Sequence, residues 1–226
     1  MKKILVVLTN TTRYKHTNEP TGLWLGEATE FVDIIHEAGY SVDYVSPKGG
    51  FVPIDPRSMK YVNKNIMESY EIGDFQQRAL CKSLKPNEIN PDDYVAIYYT
   101  GGHGVMWDFP NNVELQIIAK EIYNNNGFIT SVCHGIAGLI NIKDADGKYI
   151  IDGRNITGFT KSEEMLAGKM RFIPFLNQEI TEKRGAIFQK RRAYREFVVQ
   201  DGHIITGQNP FSAKAVAKML ISNLSH

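Results

Sequence analysis

The 226-residue chain is predicted to be an α/β protein, with a mostly parallel sheet covered by helices on both faces. Three observations predict it. Short apolar, β-branched runs alternate with stretches of helical period, the pattern of strands joined through helices. The runs are apolar at consecutive positions, as in strands buried on both sides. With 42% hydrophobic residues, the length suffices for one large core.

Ile4–Thr9 is the first such run. Trp24, Ala28, Phe31, Val32 and Ile35 then recur at helical spacing, and Gly39 supplies a stop. Strands follow at Val42–Ser46 and Tyr94–Thr100, then a helix around Val113–Tyr123. Gly127–Val132 is a strand that runs directly into Cys133, with a short helix to about Ile140 after it. Later strands are expected at Asn155–Thr157, Phe197–Val199 and Ile204–Gly207, the last two paired through the Asp201-Gly202 turn. Asn209 as cap and Pro210 as first helical residue open a last helix to about Asn223. Residues 47–91, with five prolines and no clean period, read as an insertion or lid beside the site. Residues 168–195 also break the rhythm and carry the basic cluster Lys190, Arg191, Arg192 and Arg195, read as a solvated edge.

Lys plus Arg (26) nearly balance Asp plus Glu (25), so no global field draws the chain to nucleic acid or an anionic membrane. The opening MKKILVV is too short in its apolar part for a signal peptide, and no run nears the ~20 residues of a membrane helix. Two cysteines, Cys81 and Cys133, without metal-ligand spacing, argue against a disulfide framework or a zinc site. A cytoplasmic protein is expected, and Cys81 is expected to be structural.

Ligands of parallel α/β sheets bind beyond the carboxyl ends of the strands, and the chemically loaded residues fall there. Ser131-Val132-Cys133-His134-Gly135 places a cysteine on a strand-to-helix turn. Backbone N–H groups and a helix N-terminus there would favour thiolate; the alternative is a buried, inert cysteine. Thr100-Gly101-Gly102-His103-Gly104 follows the preceding strand, so backbone N–H groups at Gly102, His103 and Gly104 could form an oxyanion hole, though a tight turn also explains the glycines. The His103 side chain is either a ligand contact or a satisfied loop histidine. Glu27, early in the first helix, either complements the helix dipole or, protonated, hydrogen-bonds to the cysteine sulfur.

In chain order these features resemble the ThiJ/PfpI superfamily of class I glutamine-amidotransferase-like proteins, and within it the heat-inducible glyoxalase III and deglycase-chaperone branch. The resemblance is carried by Thr21-Gly22 with Glu27, SPKGG at Ser46–Gly50, PIDP at Pro53–Pro56, GGHG, VCHG, ITGFT with Glu164, and TGQNP with Ser212. It implies a single domain over 1–226 with a flavodoxin-like three-layer sandwich. It also implies a cofactor-free cysteine enzyme that turns methylglyoxal into D-lactate, as a homodimer. Cys133 would be nucleophile, His134 its partner, Glu164 (or the adjacent Glu163) the acid behind it, and Glu27 the acid beside the thiol. Gly26 before Glu27, and the missing proline soon after it, depart from the family pattern. A glutamine amidotransferase would carry a His-x-Glu pair near its end, whereas His203 is followed by Ile204 and Ile205. A redox-sensing holdase and a cysteine peptidase remain alternatives at the same cysteine.

Overall fold

The computed structural model describes residues 3–225. Its main sheet has the order β2-β1-β3-β4-β8-β7, with β1 at Lys3–Val7, β2 at Val42–Val45, β3 at Tyr94–Tyr99, β4 at Phe128–Val132, β7 at Val198–Asp201 and β8 at Ile204–Gly207. Every neighbouring pair is parallel except β7 with β8, which form the expected antiparallel hairpin. The register sets Val6 opposite Tyr44 on one side and Tyr98 on the other. The fold is therefore a doubly wound α/β sandwich, as the alternation of runs and helical stretches implies.

Period-2 geometry divides the core. Ile4, Val6 and Leu8 face one layer, built on α1 (Leu25–Glu37) and α7 (Ala213–Leu224), while Leu5 and Val7 face the other. α1 buries Ala28, Phe31, Val32 and Ile35, and the Phe31 ring stacks on Tyr98 at 3.6 Å. Gly39, at φ +84°, ends the helix in a conformation that glycine adopts without strain. The second layer is α4 (Val113–Asn124), with Leu115, Ile118, Ala119 and Ile122 turned inward, and the short α3 (Val105–Asp108).

The structure departs from the sequence reading in four respects. The strand at Asn155–Ile156 (β5) pairs with Ile187–Phe188 (β6) in a separate small sheet rather than joining the main one. Residues 47–91 lie beside the site, as expected, but hold the helix α2 (Lys64–Glu71, capped by Asn63) and a π-helical turn at Phe75–Cys81. That segment is sewn to the body through bridges Leu23–Ile54, Val45–Leu84 and Gly50–Ser83, so it is not a free lid. Two further short helices, α5 (Lys161–Ala167) and α6 (Asn177–Lys183), escaped the period analysis because seven residues are under two turns. Cys81, expected to be structural, is exposed.

Candidate active site

Order in the sheet reverses between β1 and β3, and the site lies over the carboxyl ends of β3 and β4 beside that switch. Val132 is still extended, Cys133 takes φ +57°, and a 3₁₀ turn over Cys133–Gly138 carries the chain away. A non-glycine residue at positive φ stores about 1–3 kcal/mol of strain, held by its surroundings. Here Gly135 lets the turn press against β3: a Cβ at that position would collide with the Tyr99 carbonyl oxygen and lie 2.7 Å from that of Thr100.

Cys133 Sγ lies 3.2 Å from His134 Nδ1, and His134 Nε2 lies 2.8 Å from Glu164 Oε2. Glu164 sits in the first turn of α5, while the neighbouring Glu163 turns elsewhere. The Glu163 carboxylate accepts from the Thr160 hydroxyl, the backbone N–H groups of Thr160 and Tyr194, and the side-chain amides of Gln208 and Asn209. The acid behind His134 is thus Glu164 and not Glu163. Burial alone would raise the Glu164 pKa, but the imidazoles of His134 and His103 outweigh it and hold the carboxyl well below the usual range.

Glu27 is fully buried, and its Oε2 accepts from the Gly101 N–H at 2.6 Å. Its Oε1 makes no hydrogen bond in the fold, and the Cys133 side chain is the neighbour near enough to influence its protonation. Burial pushes its pKa up to about 8, so the carboxyl holds its proton at neutral pH and can donate to sulfur. Cys133 differs from the sequence expectation. The residue is only 2% exposed, and burial, followed by Glu27, pushes the thiol upward, with the His134 backbone N–H opposing. Two turns of 3₁₀ helix supply little dipole, so the resting group is a buried thiol rather than an exposed thiolate.

In the glycine loop, Gly102 at φ +98° packs its backbone against Gly22 and Trp24 and lines the cavity. Gly104 does not line the cavity; it opens α3 and packs against Thr9 and Thr11. The His103 side chain is buried in a relay: Nε2 lies 2.7 Å from Glu164 Oε1, and Nδ1 lies 2.8 Å from Arg57 Nη2. Arg57 in turn pairs with Asp55, which also accepts from the Thr21 hydroxyl at 2.9 Å. The sequence reading noted Asp55 within PIDP but missed Arg57, the residue that follows. His103, His134 and Glu164 each offer one atom of a kind that binds metals, all within 4.8 Å of one another. Both imidazoles, however, already meet the carboxylate at hydrogen-bond distance, and a zinc-type ion with bonds near ~2.0–2.1 Å would have to displace those contacts.

The cavity above these groups has a volume of about 390 Å³. Arg57, Gly102, His103, Cys133 and His134 line its polar side; Trp24, Tyr61, Phe159, Tyr194 and Phe211 supply aromatic walls. His203 lies at the other end of the sheet, against the Gly127 carbonyl and stacked on Phe128 at 4.5 Å.

A cysteine elbow at the edge of a doubly wound sheet, backed by a histidine and a carboxylate, places this chain among the cysteine-elbow α/β proteins. Within them it belongs to the DJ-1/PfpI family, whose model matches residues 22–223. It is 31% identical to the glutathione-independent glyoxalase HSP31 of Saccharomyces cerevisiae, over 100% of this chain and 99% of that one. The crystal structure of glyoxalase III from Candida albicans superposes with a TM-score of 0.88 at 31% identity, covering 98% of this chain and 96% of that one. Rapid Encystment Protein 24 kDa from Francisella tularensis superposes at 0.95 with 36% identity, covering 99% of each chain. No helix among the described residues is long and apolar enough to cross a membrane.

Proposed function

We propose that the chain is a glutathione-independent glyoxalase, converting a 2-oxoaldehyde such as methylglyoxal into the corresponding 2-hydroxy acid, D-lactate, with Cys133 as nucleophile. The observation that carries this reading is the buried thiol held between a base at 3.2 Å (His134) and a protonated acid (Glu27). His134 Nδ1 takes the thiol proton as Sγ adds to the aldehyde carbon, and Glu164 steadies the imidazolium. The hemithioacetal oxygen faces the N–H groups of Gly102 and the elbow. Glu27 gives its proton to that oxygen and, now a carboxylate, takes the proton from the former aldehyde carbon. The His134 imidazolium protonates the adjacent carbon, and the enol proton passes to the neighbouring oxygen. The product is a thioester, which water hydrolyses to the hydroxy acid, restoring the thiol. The relatives named as glyoxalases support this choice of substrate.

The test is D-lactate formation from methylglyoxal without glutathione or added metal. Wild type should be active, and Cys133→Ser and Glu27→Gln should each lose at least about 10²-fold, the scale of a positioned acid or base. Full activity in a folded Cys133→Ser protein would overturn the mechanism. The same reading includes a homodimer in the cytoplasm, which rests on the family resemblance; light scattering at the mass of one chain, 25.6 kDa, would overturn the dimer.

A holdase role is the second reading, and the apolar rim of the cavity supports it: Tyr61, Leu166 and Phe211 are all exposed there. Tyr61→Ser and Phe211→Ser together would then weaken suppression of client aggregation. Unchanged suppression would remove this reading.

A further inference from the structure

We propose that Arg57 is a positioning residue for the cysteine site: it fixes the tautomer of His103, and through it the orientation of Glu164 and His134. The argument is one of donors and acceptors. A guanidinium only donates, so the 2.8 Å contact from Arg57 Nη2 makes His103 Nδ1 the acceptor. A neutral imidazole then carries its proton on Nε2, which donates to Glu164 Oε1 at 2.7 Å. The other oxygen, Oε2, is left to accept from His134 Nε2–H at 2.8 Å, which leaves His134 Nδ1 as acceptor for the Cys133 thiol. Every proton in the chain from Arg57 to Cys133 is thereby assigned.

Arg57 is itself held in place. Its Nε donates to Asp55 Oδ1 at 2.9 Å, and one hydrogen of Nη2 goes to Asp55 Oδ2 while the other faces His103. Its guanidinium lies 5.5 Å from the centre of the Tyr14 ring. The Asp55 carboxylate is anchored by the Thr21 hydroxyl and by the Arg57 backbone N–H. The groups facing His103 are therefore Arg57, Glu164, the His134 ring at 4.1 Å and the Tyr14 ring at 5.6 Å, with Lys169 and Glu19 paired behind Tyr14. Burial, aided by the Arg57 charge, outweighs the pull of Glu164 and keeps His103 neutral near pH 7. The proline-rich segment that carries Asp55 and Arg57 thus reaches the cysteine through two imidazoles and a carboxylate.

Two measurements test this, and the first needs no variant. Long-range ¹H–¹⁵N imidazole spectra of labelled wild type should show His103 with its proton on Nε2 across pH 6–8. A proton on Nδ1 would overturn the proposal, whether or not the protein makes D-lactate. In Arg57→Met, Nδ1 is free to take a proton beside Glu164. With methylglyoxal as substrate, kcat should then fall about 10- to 100-fold, as for loss of a hydrogen bond to a charged group, with KM within about threefold. The acid limb of the pH profile should move upward, and Arg57→Lys, which restores a donor, should bring it back toward wild type. A raised KM with kcat and the acid limb unmoved would make Arg57 a substrate contact and sink the proposal. If wild type yields no D-lactate, the glyoxalase reading falls while the tautomer measurement still decides this one.

Discussion

Two residues at the elbow show how local geometry and chemistry are tied. Cys133 sits at positive φ because β4 must end in a sharp turn, and Gly135 makes that turn fit against the β3 carbonyls. Gly135→Ala would drive a methyl group into the Tyr99 carbonyl, rigid backbone that cannot step aside. We expect a loss of about 2–3 kcal/mol in stability, the upper part of the overpacking range, read as a lower urea midpoint. An unchanged midpoint would mean that the elbow has slack. Glu27 is the complementary case, because its unusual state is electrostatic. It holds a proton up to about pH 8, so kcat/KM should fall as pH rises through that value, when a second anion appears beside the sulfur. A flat profile to pH 9 would contradict a protonated Glu27.

At the scale of elements, Glu163 shows why adjacent carboxylates have different tasks. Thr160 caps α5 in a capping box with Glu163, which points the Glu163 carboxylate toward the loop before β7 and the turn before α7. Glu164, one residue on, is turned about 100° around the helix, toward His134 and His103. Glu163→Gln would set an NH₂ group among donors from Thr160, Tyr194, Gln208 and Asn209. It should cost roughly 2–3 kcal/mol, as a buried mismatch of polar groups does, and loosen Tyr194 at the cavity wall. Thermal melting and near-UV circular dichroism would register both effects; a melt equal to wild type would remove Glu163 as a structural anchor. The sequence alone left the choice between the two acids open, since spacing cannot say which way a one-residue step turns until the cap is known. The strands of the main sheet were legible because continuous apolar runs have few other uses. GGHG and VCHG were legible as motifs at strand ends, and Glu27 as an acid early in the first helix. Arg57 was not, because its role depends on a fold-back that brings residue 57 against residue 103, and no local period encodes that contact. The resting thiol was also misread: motif logic sees the backbone N–H, whereas burial is a property of the whole packed sheet.

The whole molecule must remain folded around groups held in unfavourable protonation states, and this fixes the sign of its pH dependence. His103 is neutral in the fold down to about pH 4 but titrates near 6.5 when unfolded, so stability is lost as pH falls from about 6.5. Glu164, held low, adds a loss in the same direction in more acidic solution, below its ordinary value of 4.5. Glu27 acts in the opposite sense. Its pKa rises from 4.5 to about 8 on folding, so the folded chain binds a proton that the unfolded chain has released, and stability falls as pH rises between those values. Between pH 6.5 and 8 His103 adds back only its last part, about 0.4 kcal/mol, and buried Asp108, raised to about 6, has largely titrated. In that window Glu27 dominates among the strongly shifted groups. One proton corresponds to about 1.4 kcal/mol per pH unit, and folded Glu27 has given up half of its proton by pH 8, so wild type should lose roughly 1.5 kcal/mol across it. Glu27→Gln keeps the shape and the Gly101 contact without a titrating proton, and its stability should be nearly level from pH 6.5 to 8 while D-lactate formation is lost. Urea denaturation of both proteins at pH 6.5, 7.25 and 8 makes the comparison. Parallel declines would move the alkaline liability to another group and remove the physical basis for a protonated acid beside Cys133. Divergence of the two curves would mean that the acid proposed for proton transfer is also what makes the fold less stable above neutral pH.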